Sequence, residues 1–311
     1  MNYCPMHLCS MKNLMNKPYR SGFIAIVGRP NVGKSTLINQ LIGEKIAIMS
    51  PKPQTTRHRI TGILTKKDYQ MIFVDTPGMH KGKDLLNQTI DQIAVSSLSD
   101  VDLVLFVVDH KKGSAEEHII EYFKGQKTPV FLVINKIDEL SSKSEIDEII
   151  MSYLGSYDFE GYYPISAKNQ TYLNRLEESL VPYLPEGPQF YPTEMRSDQS
   201  EEQLMTEFIR ERILFHTEQE VPHAVAVIIE SMEENKELKT LDVSALIIVE
   251  RATQKQILIG KNGEKIKKIG TEARLEINER FSKKVHLTLW IKIKKDWRNR
   301  PSDLKAFGYG E

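Results

Sequence analysis

Gly28-Arg29-Pro30-Asn31-Val32-Gly33-Lys34-Ser35 forms a G-x-x-x-x-G-K-S string, followed by Thr36 and an apolar helical spacing at Leu37, Ile38 and Leu41. These residue types suit the binding of a phosphate chain. Glycines let the backbone curl until its N–H groups point inward, and the helix that follows adds the positive end of its dipole. Lys34 is placed to neutralise the β and γ phosphates, and Ser35 offers a hydroxyl to Mg²⁺. The apolar run from Phe23 to Val27 supplies the strand that must precede such a loop.

A phosphate loop serves kinases, ATPases and GTPases alike, and further strings choose among them. Asp75-Thr76-Pro77-Gly78 follows the apolar run Met71 to Val74, so Asp75 is expected at a strand's carboxyl end, where it holds Mg²⁺ through water. Gly78 is expected to bring a backbone N–H to the γ-phosphate. Asn135-Lys136-Ile137-Asp138 follows the buried run Val130 to Ile134. The Asp138 carboxylate can accept from N1–H and N2–H₂ of guanine, and adenine offers neither. A buried carboxylate left without those donors rejects the wrong base, so GTP and GDP are the expected nucleotides.

Ser166-Ala167-Lys168, after the last strand, is expected to close over the base with a backbone N–H. Between the phosphate loop and Asp75, Gln54-Thr55-Thr56-Arg57 supplies a second hydroxyl for Mg²⁺; Thr56 is assigned, with Thr55 its close rival. Lys34, Thr56 and Gly78 are the residues assigned to hydrolysis itself. Small signalling GTPases place a glutamine after the D-x-x-G glycine to orient the attacking water, whereas Met79 follows Gly78 here, so intrinsic hydrolysis is expected to be slow. His80 reads as an exposed loop side chain, not a base.

The elements that must position these groups follow from the apolar runs. Phe23 to Val27, Met71 to Val74, Leu103 to Val108, Val130 to Ile134 and Tyr162 to Ile165 read as strands alternating with helices, the pattern of an α/β domain with a mostly parallel, doubly wound sheet. Pro182, Pro185, Gly187, Pro188 and Pro192 then interrupt the periodicity and mark a linker. Beyond it the order is α-β-β-α-α-β, an α+β unit. The expected division is a tail over 1–20, a nucleotide domain over 21–181, a linker over 182–200 and a second domain over 201–311.

Charge distinguishes the two halves. The chain has 42 bases and 42 acids, yet Glu194 to Asp242 carries 13 acids against 5 bases and Arg251 to Arg300 carries 15 bases against 5 acids. Ten net positive charges in one stretch mark a candidate polyanion site. Within it, Gly260-Lys261-Asn262-Gly263 places G-x-x-G between two helical patterns.

Length and composition bound the rest. At 311 residues the chain exceeds one core, and 40% hydrophobic with 27% charged residues excludes disorder and fibrous classes. Cys4 and Cys9 are too few and too close to the start to staple the fold, which suits a reducing compartment, and with His7 they match no structural zinc spacing. No apolar run approaches the roughly 18 residues of a spanning helix, and the first twenty residues lack a signal-peptide core, with Met11 or Met15 an alternative start.

The strings GRPNVGKS, QTTR, DTPG, NKID and SAK together resemble those of the translation-factor-related GTPases, and the second unit resembles a KH domain of the second topological type. That likeness implies that Gly260, Lys261, Asn262 and Gly263 clamp a single-stranded RNA backbone, with Lys265 and Lys268 beside them. From about Gly22 to Gly310 the arrangement resembles the Era family of bacterial ribosome-assembly GTPases. The resemblance implies Mg²⁺-dependent GTP hydrolysis and binding near the 3′ end of 16S ribosomal RNA during small-subunit maturation in the cytoplasm. It also implies K⁺ bound through Asn31 and peripheral association with the cytoplasmic face of the inner membrane; no obligate protein partner is indicated. Two other readings stand beside it: an RNA-binding scaffold or chaperone timed by the nucleotide, and a tRNA-modification GTPase, which the lack of a tandem GTPase domain weakens.

Overall fold

The computed structural model describes residues 18–309 except 51, 53, 54, 79–83 and 219. The cysteines with His7, the alternative starts, Gln54, and Met79 with His80 lie outside the described residues.

The first domain is built on strands β1 (Arg20–Val27), β2 (Ile60–Thr65), β3 (Tyr69–Asp75), β4 (Leu103–Val108), β5 (Val130–Ile134) and β6 (Gly161–Pro164). They form one sheet in the order β2-β3-β1-β4-β5-β6, with β2 antiparallel to β3 and the other neighbours parallel. Side chains alternate between two cores, as a pleat requires. Ile24, Ile26, Leu105 and Val133 meet α1 (Lys34–Ile42) and α5 (Leu173–Leu180), whereas Ala25, Val27, Phe106 and Ile134 meet α2 (Leu85–Ser96), α3 (Ser114–Glu121) and α4 (Lys143–Tyr153). Burial on both faces is why β4 and β5 read as continuous apolar runs.

The expected linker is not a loose tether. Arg20 pairs with Glu186 and Gly62 with Ser197 across isolated bridges. The Gln70 side-chain oxygen accepts from the N–H groups of Phe190 and Tyr191 at 2.9 and 3.0 Å, fixing the stretch along the sheet.

The second domain runs α6 (Glu201–His216), α7 (Val221–Ala224), β7 (Ala226–Asn235), β8 (Thr240–Val249), α8 (Ala252–Ile259), α9 (Glu264–Phe281), β9 (Val285–Ile293) and α10 (Pro301–Ala306). Its sheet has the order β7-β8-β9, with β9 parallel to β8. The expected α-β-β-α-α-β core is present, with α7 and α10 added. Ser200 caps α6, accepting from the Gln203 N–H at 3.1 Å, while Phe208, Ile209, Ala245, Ile247, Leu258, Ile269, Ala273 and Ile277 form the core beneath the helices. Ile48 of the first domain joins this core, and Leu86 and Ile90 of α2 pack with Trp297, Leu304 and Phe307.

Candidate functional site

The phosphate loop leaves β1 and enters α1 through Gly33, which has φ 96° and no capping side chain. The first N–H groups of the helix therefore remain directed at the site. A Cβ at Gly33 would lie 2.2 Å from Asn135 Nδ2, so only glycine admits the base-side asparagine there. Val32 is buried at the loop's base, and its carbonyl accepts from Asn135 Nδ2 at 2.8 Å. Gly78 lies against the loop from the other side: a Cβ would come within 2.9 Å of three Pro30 atoms. Pro30, Asn31, Lys34, Thr36, Thr56, Gly78 and Lys136 help to line one cavity of about 410 Å³.

Lys34 is buried and donates to the carbonyls of Gly28 and Arg29 at 3.0 and 2.9 Å. Burial pushes its ammonium down to about 8, against the pull of Asp75 and Asp109. Such a lysine gains by meeting phosphate oxygens, which restore the stabilisation that water no longer gives.

Three oxygens converge beside it. Ser35 Oγ lies 3.0 Å from Thr56 Oγ1 and donates to Asp75 Oδ2 at 3.0 Å. Asp75 Oδ1 is buried without a partner among the described residues, and burial pushes the carboxyl up to about 6, opposed by Lys34 and by hydrogen bonds from Ser35, Thr56 and Thr76. Two hydroxyls and a carboxylate with an unsatisfied buried oxygen fit a hard cation of the Mg²⁺ type. Ser35 and Thr56 would hold Mg²⁺ directly, with Asp75 behind, and its charge would offset that on the β and γ oxygens. Thr55 instead donates to the Lys52 carbonyl at 2.6 Å, whereas the Thr56 hydroxyl faces Ser35.

On the base side, Asn135 links three segments: besides its bond to Val32, its Oδ1 accepts from the Ala167 N–H at 2.9 Å. The Ala167 N–H of the Ser166-Ala167-Lys168 segment is thus tied to Asn135. Lys136 has φ 62° and donates to Asp109 at 2.7 Å. Asp138 was expected to be buried and is exposed; its carboxylate accepts from Ser166 Oγ. The incoming base must supply the cover that makes its hydrogen bonds selective.

Other assigned residues serve as scaffold. Thr76 is buried and donates to the Ile26 carbonyl at 2.9 Å, Pro77 is buried beside it, and Lys168 is exposed. Arg29 pairs with Glu116 at 3.1 Å and with His110. Sequence reasoning passed over Asp109 and Glu116. Asp109 had a usable signal, since it directly follows the buried strand β4 much as Asp75 closes β3; Glu116 had none.

The G-x-x-G loop joins α8 to α9. Gly260 has φ 70°, Asn262 φ 52° and Gly263 φ 80°, and Lys261, Asn262, Lys267 and Lys268 are exposed. Lys261, Lys265, Lys267 and Lys268 have no ion-pair partner among the described residues. The loop therefore presents left-handed backbone and unneutralised ammonium groups, as a clamp on a polyanion needs.

Comparison with known proteins bears on both domains. A family model described as a 50S ribosome-binding GTPase matches residues 23–136, and a KH domain model matches residues 220–298. The GTPase Era of Heliobacterium modesticaldum is 49% identical over 294 residues, covering 94% of this chain and 98% of that protein. The crystal structure of an Aquifex aeolicus Era variant bound to GDP.AlF4⁻ superposes with a TM-score of 0.91 at 37% identity, covering 94% of this chain and 100% of the other. A structure of Era in complex with MgGDPNP and nucleotides 1506–1542 of 16S ribosomal RNA superposes with the same score, identity and coverage. With a phosphate-binding loop, a KH domain and relatives aligned across both domains, the chain belongs to the Era family of GTPases.

Proposed function

We propose that this chain is a GTP-driven switch that binds the 3′ region of 16S ribosomal RNA and acts in the assembly of the small ribosomal subunit. The observation that carries the reading is the attachment of both domains to one segment. Thr56 faces Ser35 in the nucleotide site, and Arg57 is buried in the RNA-binding domain. A segment that responds to the γ-phosphate at one end therefore bears on the KH domain at the other. The relative whose complex holds 16S nucleotides 1506–1542 supports the choice of RNA, although the family model that matches residues 23–136 is described by the large subunit.

In this reading Lys34 and the amides from Gly28 to Ser35 hold the phosphates, and Asn135, Lys136 and Asp138 hold the base. Asn31, at the rim of the cavity, is assigned to K⁺ beside the phosphates. The site of action is the cytoplasm. Exposed Lys267 and Lys268 offer anionic head groups the same chemistry that they offer RNA, which supports peripheral membrane contact. No helix among the described residues is long and apolar enough to cross a membrane.

The test is titration of a 16S fragment spanning nucleotides 1506–1542 with the protein bound to a GTP analogue, bound to GDP and without nucleotide. A switch binds more tightly with the GTP analogue. Equal affinity in all three states would replace the switch by the scaffold reading, and preference for transfer RNA would favour the modification reading.

A further inference from the structure

The sheet of the second domain has two faces, and only one is accounted for. Leu287, Leu289 and Ile291 of β9 pack against the core beneath the helices, on the side of the G-x-x-G loop. The alternate residues His286, Thr288, Trp290 and Lys292 face the opposite way. That far face is covered over β8, where Leu246 and Ile248 pack with Trp297, Leu304 and Phe307. The cover stops short of β9, the edge strand. Trp290 sits opposite Leu246 in the register, yet Leu246 is 9% exposed and Trp290 is 59% exposed.

The setting of that ring is basic. Between Lys283 and Lys295 the chain carries five lysines and a histidine and no acid. Lys283 and Lys294 are paired with Glu201 and Asp303, whereas Lys284, Lys292 and Lys295 have no ion-pair partner among the described residues. Asp242 and Glu233, acids that the register places on this face, lie together at the far end opposite His286, where Asp242 is engaged by Asn235 and Thr240. A protein-binding patch would surround the indole with other exposed apolar groups. A single ring among ammonium groups is instead the composition of a stacking platform for unpaired nucleotides.

We propose that the β9 edge is a second RNA subsite, where the base of an unpaired nucleotide stacks on Trp290 and its neighbouring phosphates meet Lys292 and the lysines at the strand's two ends. The occupant is the continuation of the strand gripped by the G-x-x-G loop, passing around the open edge of β9 to the far face. Stacking accepts any base, so this subsite adds length-dependent affinity and leaves sequence preference to the groove. The inference rests on the RNA-binding reading above.

Intrinsic fluorescence tests it directly. The chain has two tryptophans, and Trp297 is fully buried, so quenching by bound RNA reports Trp290. The full chain is titrated with the 16S fragment of nucleotides 1506–1542 and with nested truncations down to about four nucleotides, the span that a KH loop clamps. The long RNA quenches the emission and the shortest fragment that still binds does not. Trp290→Ala weakens the long RNA about tenfold and leaves the short one unchanged, and Trp290→Phe restores most of the loss. Tight binding of the long RNA without quenching, or equal losses on both lengths, overturns the subsite. If the unmodified chain binds neither RNA, the RNA-binding reading itself fails, and the subsite with it.

Discussion

The Thr56 hydroxyl lies 3.0 Å from Ser35 Oγ in the nucleotide site, while the guanidinium of the adjacent Arg57 donates to the carbonyls of Val225 and Pro222 in the other domain at 2.7 and 2.8 Å. Arg210 reaches back to donate to the Thr55 carbonyl, its own guanidinium held by Glu207 at 2.7 Å. Arg57, Arg210 and Glu207 are all buried. Three consecutive residues are thus fastened on both sides of the domain boundary, in low dielectric where the bonds are strong and costly to break.

Arg57→Ala should leave buried carbonyls unsatisfied and destabilise the chain by about 2–4 kcal/mol. It should also uncouple the domains, giving the same RNA affinity with a GTP analogue as with GDP. Denaturant unfolding checks the first effect and RNA titration in both nucleotides the second. A variant that stays folded and keeps the wild-type difference would place the coupling elsewhere.

The reach of the sequence is clear from these same residues. The phosphate loop, Asp75 and the Asn135 to Asp138 string were legible because each sits at the end of a buried apolar strand, and local pattern reports local structure. The β2 strand was missed: Thr61 and Gly62 break the apolar run, and its identity as a strand depends on pairing with β3 and on the backbone of Arg196. Arg57 was read only as the end of a threonine motif. Its partners lie 165 to 252 residues away, and no spacing rule spans that distance. The closing Trp297, Phe307 and Tyr309 bury a cluster against α2, a contact between segments far apart in the chain that local pattern does not report.

Asp138→Asn should shift preference from guanine toward xanthine. The carboxylate accepts from N1–H and N2–H₂ of guanine, and the amide instead offers a donor to the oxygen that xanthine carries at that ring position. Competition between GTP and XTP measures it, and an unchanged preference would remove Asp138 from base reading. Ser166→Ala, which deletes the hydroxyl that donates to Asp138, should weaken GTP binding by a smaller factor without changing base preference.

Asn31 faces a different test. Met79 stands where the small signalling GTPases carry their water-orienting glutamine, so a cation beside the phosphates is a natural supplier of transition-state charge. GTP turnover should be faster in K⁺ than in Na⁺, and Asn31→Ala should abolish the difference. Equal rates in both salts, or a stimulation that survives the substitution, would remove K⁺ from the site.

Burial that pushes Lys34 down to about 8 has a consequence for binding at alkaline pH. Phosphate oxygens favour the protonated ammonium, so above that pH nucleotide binding takes up a proton, and affinity should fall by up to tenfold per pH unit. Below pH 8 this contribution is constant. Binding of a fluorescent GTP analogue between pH 7 and 9.5 measures the slope, and Lys34→Met should bind weakly with no slope in that range. A wild-type affinity that stays flat to pH 9.5 would mean that the ammonium keeps its proton there.

The two glycines of the KH loop separate charge from shape. A Cβ at Gly260 would lie 2.7 Å from Lys265 Cβ, whereas at Gly263 it would meet nothing within 4 Å, although φ there is 80°. Asparagine tolerates that left-handed geometry better than other side chains do. Gly263→Asn should therefore keep the loop and most of the RNA affinity, and Gly263→Asp should cut affinity at least tenfold, on the order of 1.4 kcal/mol, by adding like charge. Gly260→Asp adds a steric clash and should lower thermal stability as well. Lys261→Ala should reduce the salt slope of RNA binding by roughly one unit. Nucleotide affinity should remain normal in all four variants. Anisotropy titrations at two salt concentrations, each beside a melting curve, distinguish the effects. If Gly263→Asp melts early but its folded fraction binds RNA as tightly as wild type, Gly263 serves only to start α9, and the clamp must be sought outside the loop.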